Sequence, residues 1–513
     1  MDASVFEAPG IFNVDRIGFN ARYHGSRPAI ACGECVLEWR EFDLRTNRAA
    51  NGLRAQGIAQ GDRIVLLMSN SIEMLVLIWG IAKAGAVVVP VSLSVTAQQR
   101  AELIRDCDPK AIFADADIVS EAGEHPGSAM LFALGEAREG WRDAGTILSH
   151  GVSTPMHVRR SMADTEIIIY SSGTTGSPKG IELSHQARLI YALGYGPLMH
   201  IGPQSVIICA TPLYANGAWI TMLPAIYWGA CTVILPKFTP DEFFRAATRH
   251  DGTHAFLVPT QASMLADAAT LDTSSSVAMS AVVIGSGRLD AGLRGRVRDA
   301  LGGAVVMVCY GMTEGFITMA TSTDLDDRPG TVGIPIYGED TRIIDLETGE
   351  EAAPGVTGEI VGYGSGLMKG YFRKQEMTRA MVWRDAYGLT YIRTGDVGHV
   401  DEDGYLYLSD RIKDMVKSGG LNIYAADLES VFAQHPAVLE AAVVGVPHEK
   451  WGETPVLFAR LRPGAIVTET ALQEWGNARL ASFQKVSRVI FRDDFPRGAY
   501  DKVLKRTLRA EFA

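Results

Sequence analysis

Continuous apolar runs separated by helix-length segments leave this chain few folds to choose from. DRIVLLMSN, SIEMLVLIWGIAKAG and AVVVPVSL, with the short run from Ala111 to Ala114, read as strand, helix, strand and strand. Strands that are apolar at every residue must be covered on both faces, which is the condition of a parallel sheet flanked by helices. The same texture recurs from TEIIIY to VVMVCYG, so an α/β fold is expected, with a large N-terminal body of several layers.

A chain of 513 residues is too long for one ordinary domain. After Thr331 the texture changes. RIIDLETGEEAAPGVTGEIVGYG alternates apolar residues with Gly/Pro turns, and GHVDEDGYLYLSDRIKD places a DG turn between two short strands. Both predict antiparallel hairpins, a β-rich subdomain of the body. Beyond Asp410, AADLESVFAQHP reads as a helix, VLEAAVVGVP as a strand and TETALQEWGNARL as a helix. This predicts a body over 1–409 and a small mobile α+β domain over 410–513, with a hinge between Ser409 and Lys413.

With 47% hydrophobic and 21% charged residues and a net charge of -11, the profile is that of a folded chain. Its acidic balance argues against nucleic-acid and anionic-membrane partners, which reward basic surfaces. MDASVFEAPGIFNVDRIGF has no basic segment leading into an apolar run, so cytoplasmic residence is expected. From Ile201 to Pro236 there is no Asp, Glu, Lys or Arg, but Pro212, Pro224 and several glycines interrupt it. VIICATPL, AWITMLPAIYWG and CTVILP therefore read as a buried strand, helix and strand rather than a membrane span. Cys32 and Cys35 have the spacing of a metal knuckle without a second pair to complete it, and ACGEC reads as a hairpin turn.

The segment SSGTTGSPKG, residues 171–180, directly follows the apolar strand Glu166 to Ile169. Glycines there let backbone N–H groups approach phosphate oxygens, the hydroxyls add donors, and Lys179 supplies a mobile positive charge. Its spacing is not that of GxxxxGK followed by Ser or Thr. YGMTEG, from Tyr310, follows the apolar strand Val305 to Val308 and offers Glu314 for Mg2+ and Thr313 for a phosphate. Gly285, Ser286 and Gly287 have so little side chain that either a flat base can approach their backbone or they form an ordinary turn.

Taken together, SSGTTGSPKG and the blocks that follow it in order closely resemble the signature motifs of the adenylate-forming superfamily. That group contains acyl-CoA synthetases, aryl-CoA ligases, nonribosomal peptide adenylation domains and beetle luciferases. The resemblance implies ATP binding by Ser171, Ser172, Gly173, Thr174, Thr175, Gly176 and Lys179, with Thr175 and Lys179 acting on the phosphates. It further implies that Tyr310 packs on adenine, that Gly311 belongs to the same nucleotide-binding turn, that Thr313 meets the α-phosphate, and that Glu314 holds Mg2+. Asp396, in YIRTGD, resembles the residue that holds the ribose hydroxyls, and Arg411, in SDRIKD, one that contacts the nucleotide.

Lys502, in PRGAYDKVLKRTLR, resembles the late catalytic lysine that bridges carboxylate and phosphate, although Asp501 stands where the family usually has Gly. Lys505, Arg506 and Arg509 read as a solvated helical face. Lys413 resembles the hinge about which the small domain turns between half-reactions. In VKSGGLNIYAADLE, Gly419 and Gly420 resemble the loop bordering the coenzyme A thiol path, as does Trp451 in WGE; Leu421 and Ala425 depart from the commoner Glu and Pro.

In TPLYANG the His usual after the aromatic residue is replaced by Ala215, which leaves room in the acyl pocket. Tyr214, Ala215, Asn216, Gly217, Ala218 and Met312 are its expected lining, suited to an aromatic or medium-to-long acid, and Arg288 is placed either to meet a second carboxylate or in a surface salt bridge. The resemblance implies an acid:coenzyme A ligase that uses ATP, Mg2+ and coenzyme A, with an oligomer possible and no integral membrane association. Two alternatives stay open at this point: transfer of the acyl group to a carrier-protein thiol, and a nucleotide-binding homologue impaired at Ala215, Leu421 and Asp501.

Overall fold

The computed structural model describes residues 11–119, 127–136, 139–171, 178–271, 277–497 and 503–512. Two compact units divide the chain: residues 1–341 with 362–392, and residues 342–361 with 393–513. The hairpin segments at 342–361 and 393–411 thus group with the tail, whereas a division at 409/410 assigns them to the body.

The first unit holds the expected parallel architecture twice. One sheet runs Gly370–Tyr371, Lys179–Ser184, Thr165–Ser171, Val87–Pro90, Arg63–Leu67, Ala111–Asp115, Met130–Leu134, Arg142–Asp143. Its strands are parallel from Thr165–Ser171 onward, and Lys179–Ser184 turns back antiparallel on Thr165–Ser171. In the second sheet Cys231–Ile234, Val206–Cys209, His254–Leu257, Ala281–Ile284 and Val305–Met312 lie side by side and parallel. Pro28–Cys32 and Cys35–Glu38 form the ACGEC hairpin, closed at Cys32 and Cys35 with Gly33 at φ +57°.

Local sequence sets the helices that cover these sheets. Ser71 accepts a hydrogen bond from the Met74 N–H and starts Ile72–Lys83, in which every residue but Glu73 is buried; such a helix has almost no polar face because it is enclosed on nearly every side. Thr96 and Gln99 form a reciprocal capping box on Ala97–Cys107. The uncharged stretch from Ile201 to Pro236 is strand, helix and strand: Val206–Cys209, Trp219–Trp228 and Cys231–Ile234. Trp79 and Trp219, each 1% exposed, meet edge to face at 6.2 Å. No helix among the described residues is long and apolar enough to cross a membrane.

The second unit contains a small sheet built on the antiparallel pair Val438–His448 and Gly452–Leu461, with Val416–Ser418 and Arg488–Phe491 against the latter strand. Helices Ala425–Phe432 and Glu469–Asn477 accompany it, and a Cβ on Gly476 would lie 2.0 Å from the Phe432 ring. Arg506 and Arg509 are exposed, as expected, but Lys505 is not part of a solvated face. Lys505 pairs with Glu429 at 2.7 Å, and Arg509 pairs with Glu453, so both tie the last helix to the sheet unit.

Candidate functional site

Parallel pairing gathers most of the motif residues of the first unit along one sheet edge. Ile208 is in register with Ala255, Leu257 with Ile284, and Ile284 with Val308. The segments leaving the carboxyl ends of those strands are Thr211 to Ala218, Gly285 to Gly287, and Tyr310 to Glu314. In open α/β sheets that edge is where ligands bind.

Thr313 and Glu314 form the turn of a hairpin in which Met312 pairs with Gly315. Gly315 has φ +110°, and a Cβ there would lie 2.5 Å from the Gly366 carbonyl and the Leu367 Cα. Only glycine fits both conditions. Gly315→Ala is expected to cost about 2–4 kcal/mol, read as a lowered denaturant midpoint; a change below about 1 kcal/mol contradicts the packing described. Phe316 follows at φ +63°, fully buried, with its ring 6.0 Å from that of Tyr310 in an edge-to-face contact.

Glu314 is held by a residue without a motif. The Tyr371 hydroxyl donates to Glu314 Oε1 at 2.8 Å, and the Lys179 ammonium lies 5.6 Å from the Tyr371 ring centroid. Burial, followed by the charge and hydrogen bond of Glu314, raises the Tyr371 hydroxyl well above the usual phenol range, so it stays a donor. Tyr371 reaches this place because Gly370–Tyr371 pairs with Lys179–Ser184, Tyr371 opposite Ile181. Lys179 in turn faces Ser171 at the end of Thr165–Ser171. Lys179, Tyr371 and Glu314 thereby join the end of one sheet to the end of the other. Ser172, Gly173, Thr174, Thr175 and Gly176 lie outside the described residues, as does the side chain of Ser171.

The glycines at 285 and 287 have a packing reason of their own. A Cβ at Gly285 would meet Cys309 Sγ at 2.5 Å, and one at Gly287 would meet Pro259 at 3.0 Å. Ser286 sits between them at φ +68°. Arg288, next in the chain, is exposed.

In the block Tyr214 to Ala218, Ala215 and Ala218 are buried, and a Cβ on Gly217 would meet the Phe256 ring at 2.5 Å. Asn216 is committed on both sides. Its Oδ1 accepts from Arg188 Nη1 at 2.9 Å, and its Nδ2 donates to the Tyr191 hydroxyl at 2.7 Å. Arg188 was not among the expected pocket residues.

Within the second unit, Asp396 and Arg411 face each other across an antiparallel pair and form an ion pair at 2.9 Å. Asp396 is mostly buried and Arg411 half-exposed. Lys413 is exposed, just beyond that strand. Gly419 and Gly420, at φ +58° and +81°, are the turn between Val416–Ser418 and Leu421–Ile423, a backbone shape that suits glycine at both places. The Gly419 N–H donates to the Trp451 carbonyl at 2.8 Å, and Glu453 accepts from the Lys417 N–H at 2.9 Å. The Gly419–Gly420 turn and the WGE block are therefore one surface, with Trp451 47% exposed and Leu421 50% exposed. Lys502 and Asp501 lie outside the described residues.

Two family models match the chain: AMP-binding enzyme over residues 19–372, and AMP-binding enzyme C-terminal domain over residues 427–502. Among curated proteins, 2-succinylbenzoate--CoA ligase of Geobacillus kaustophilus is 31% identical, covering 94% of each chain. Feruloyl-CoA synthase of an Amycolatopsis species is 29% identical over 96% of this chain and 97% of its own. Among solved structures, ATP-bound MatB from Rhodopseudomonas palustris superposes with a TM-score of 0.86 at 30% identity, covering 98% of this chain and 99% of that one. O-succinylbenzoate CoA synthetase from Bacillus subtilis, in complex with an acyl-adenylate, superposes with a TM-score of 0.85 at 25% identity, covering 97% and 98%. Two matching domain models and likeness along nearly the whole length show that the chain belongs to the AMP-binding enzyme family, in its acyl- and aryl-CoA ligase branch.

Proposed function

We propose that this chain is an ATP-dependent carboxylic acid:coenzyme A ligase that makes an acyl-AMP, releasing pyrophosphate, and then a thioester, releasing AMP. The observation that carries this reading is the meeting of Lys179, Tyr371 and Glu314 at the ends of two sheets. A carboxylate attacking a phosphate brings two anions together, and the electrostatic part of that barrier is lowered by fixed positive charge.

Glu314 suits a magnesium ion. Mg2+ is usually bound by one or two carboxylates together with substrate phosphates, and among the described residues no cluster of three or more His, Cys, Asp or Glu forms a complete protein cage. With one oxygen engaged by Tyr371, Glu314 keeps its second for such an ion. Bound there, Mg2+ would neutralise charge on the triphosphate. Lys179 adds a cation to the same place, and Tyr310 offers a face for adenine; in the second unit, Asp396 is assigned to ribose hydroxyls on its motif alone.

Gly419, Gly420 and Trp451, joined through the Gly419 hydrogen bond, are assigned to the coenzyme A path, and Lys413 to the hinge between half-reactions. Lys502 is assigned to the first half-reaction. The acid is placed among Tyr214, Ala215, Asn216, Gly217, Ala218 and Met312, an apolar setting that favours an aromatic or medium-to-long chain. Mass analysis of products from ATP, coenzyme A and a broad acid panel tests the reading. An acyl-CoA is expected; pyrophosphate release with no thioester from any acid would move the acceptor to a carrier-protein thiol.

A further inference from the structure

The helix His185–Leu198 carries Arg188, Tyr191 and Tyr195 at positions i, i+3 and i+7, one stripe of its surface, and all three are buried. A stripe with that spacing is ordinarily apolar core, but this one ends in polar groups that the fold leaves unsatisfied. Among the described residues, Arg188 Nε and the Tyr195 hydroxyl are buried without hydrogen-bond partners, and so is Oε2 of Glu339, which lies near both tyrosines. Native interiors satisfy almost every such atom, so three around one helix stripe require a reason.

Arg188 is the costliest of them. Its guanidinium lies 5.2 Å from the Tyr191 ring centroid and 5.1 Å from that of Trp219, and among the described residues its hydrogen-bond partner is the neutral amide of Asn216. Among the described residues no carboxylate lies within 4 Å of it; Glu166, whose charge it feels, is itself bonded to His185 at 2.7 Å. A buried cation without a counter-ion is strongly unfavourable. Burial also pushes the Glu339 carboxyl up to about 7, so near neutral pH it holds a proton for much of the time and can donate. Guanidinium and phenol are donors, and the carboxyl is one when protonated, so the partner that suits them best is an acceptor with negative charge.

We propose that Arg188, Tyr191 and Tyr195, with Asn216 and Glu339, form the far end of the acyl site and receive the second carboxylate of a dicarboxylic acid. Asn216 supplies the link, because it belongs to the block assigned to the acyl pocket and its side chain is held by Arg188 and Tyr191. The exposed Arg288 is not the residue that selects this group. This inference rests on the ligase reading above and narrows its substrate class.

Matched acids provide the test: octanoate against octanedioate, and phenylacetate against carboxyphenylacetate, followed by pyrophosphate release. The wild-type chain is expected to favour the diacid of at least one pair by about 100-fold or more in kcat/KM, since a site built around buried donors rejects a ligand that leaves them unpaired. Arg188→Met should abolish that preference by raising KM for the diacid while KM for ATP holds, and Arg188→Lys should restore part of it. Turnover of monoacids equal to or better than diacids in the wild-type chain overturns the subsite and leaves the ligase reading standing, and this comparison needs no variant. Silence with every acid overturns both.

Discussion

Glu314→Gln is expected to lower acid-dependent pyrophosphate release by about 10²–10³-fold, the loss typical of removing one preorganised electrostatic group from an active site. The amide keeps the shape of the side chain and can still accept from the Tyr371 hydroxyl, now 2.8 Å from Oε1. What disappears is the negative charge that would hold a hard cation against the triphosphate. The loss should be partly reversed by raising Mg2+, because weaker metal binding is compensated by concentration. Tyr371→Phe should cost about tenfold, the share of one charge-assisted hydrogen bond. Unaltered turnover in Glu314→Gln would remove this residue from the site.

Lys502→Ala separates the two half-reactions. Acyl-AMP formation is expected to fall by about 10³-fold, because a cation bridging carboxylate and phosphate matters most where two anions meet. Conversion of supplied acyl-AMP to thioester should stay within a few-fold of wild type. The assignment comes from the block PRGAYDKVLK, in which Asp501 replaces the glycine common in relatives. Asp501→Gly should therefore leave the first half-reaction intact or faster. Equal losses in both steps for Lys502→Ala would show that this lysine supports folding or general nucleotide binding instead.

Much of the architecture was readable because burial on both faces writes itself into sequence as uninterrupted apolar strands. The uncharged stretch from Ile201 to Pro236 resolved into strand, helix and strand for the same reason, its prolines and glycines being incompatible with one long helix. Two residues on which the proposals rest were not readable. Tyr371 is 57 positions from Glu314, and only the pairing of Gly370–Tyr371 with the Lys179 strand brings them together. Arg188 looks in sequence like any helix-surface cation, and its burial depends on the approach of Trp219 and Asn216 from another segment.

Chemistry and packing also share signals that sequence cannot separate. Gly285 suggested a place where a flat base approaches the backbone, yet Cys309 Sγ and Phe256 already forbid a side chain there. Lys505 reads in sequence as a solvated charge, but it is largely buried against Glu429. In each case the missing information is a long-range neighbour.

The central claim is that this fold joins a carboxylate to the α-phosphate of ATP. Isotope exchange between labelled pyrophosphate and ATP measures that step alone, without coenzyme A or product release. With the purified full-length chain, Mg2+ and a panel of mono- and dicarboxylic acids, label should enter ATP only when an accepted acid is present. A chain that binds ATP yet incorporates no label with any acid on the panel would contradict the account.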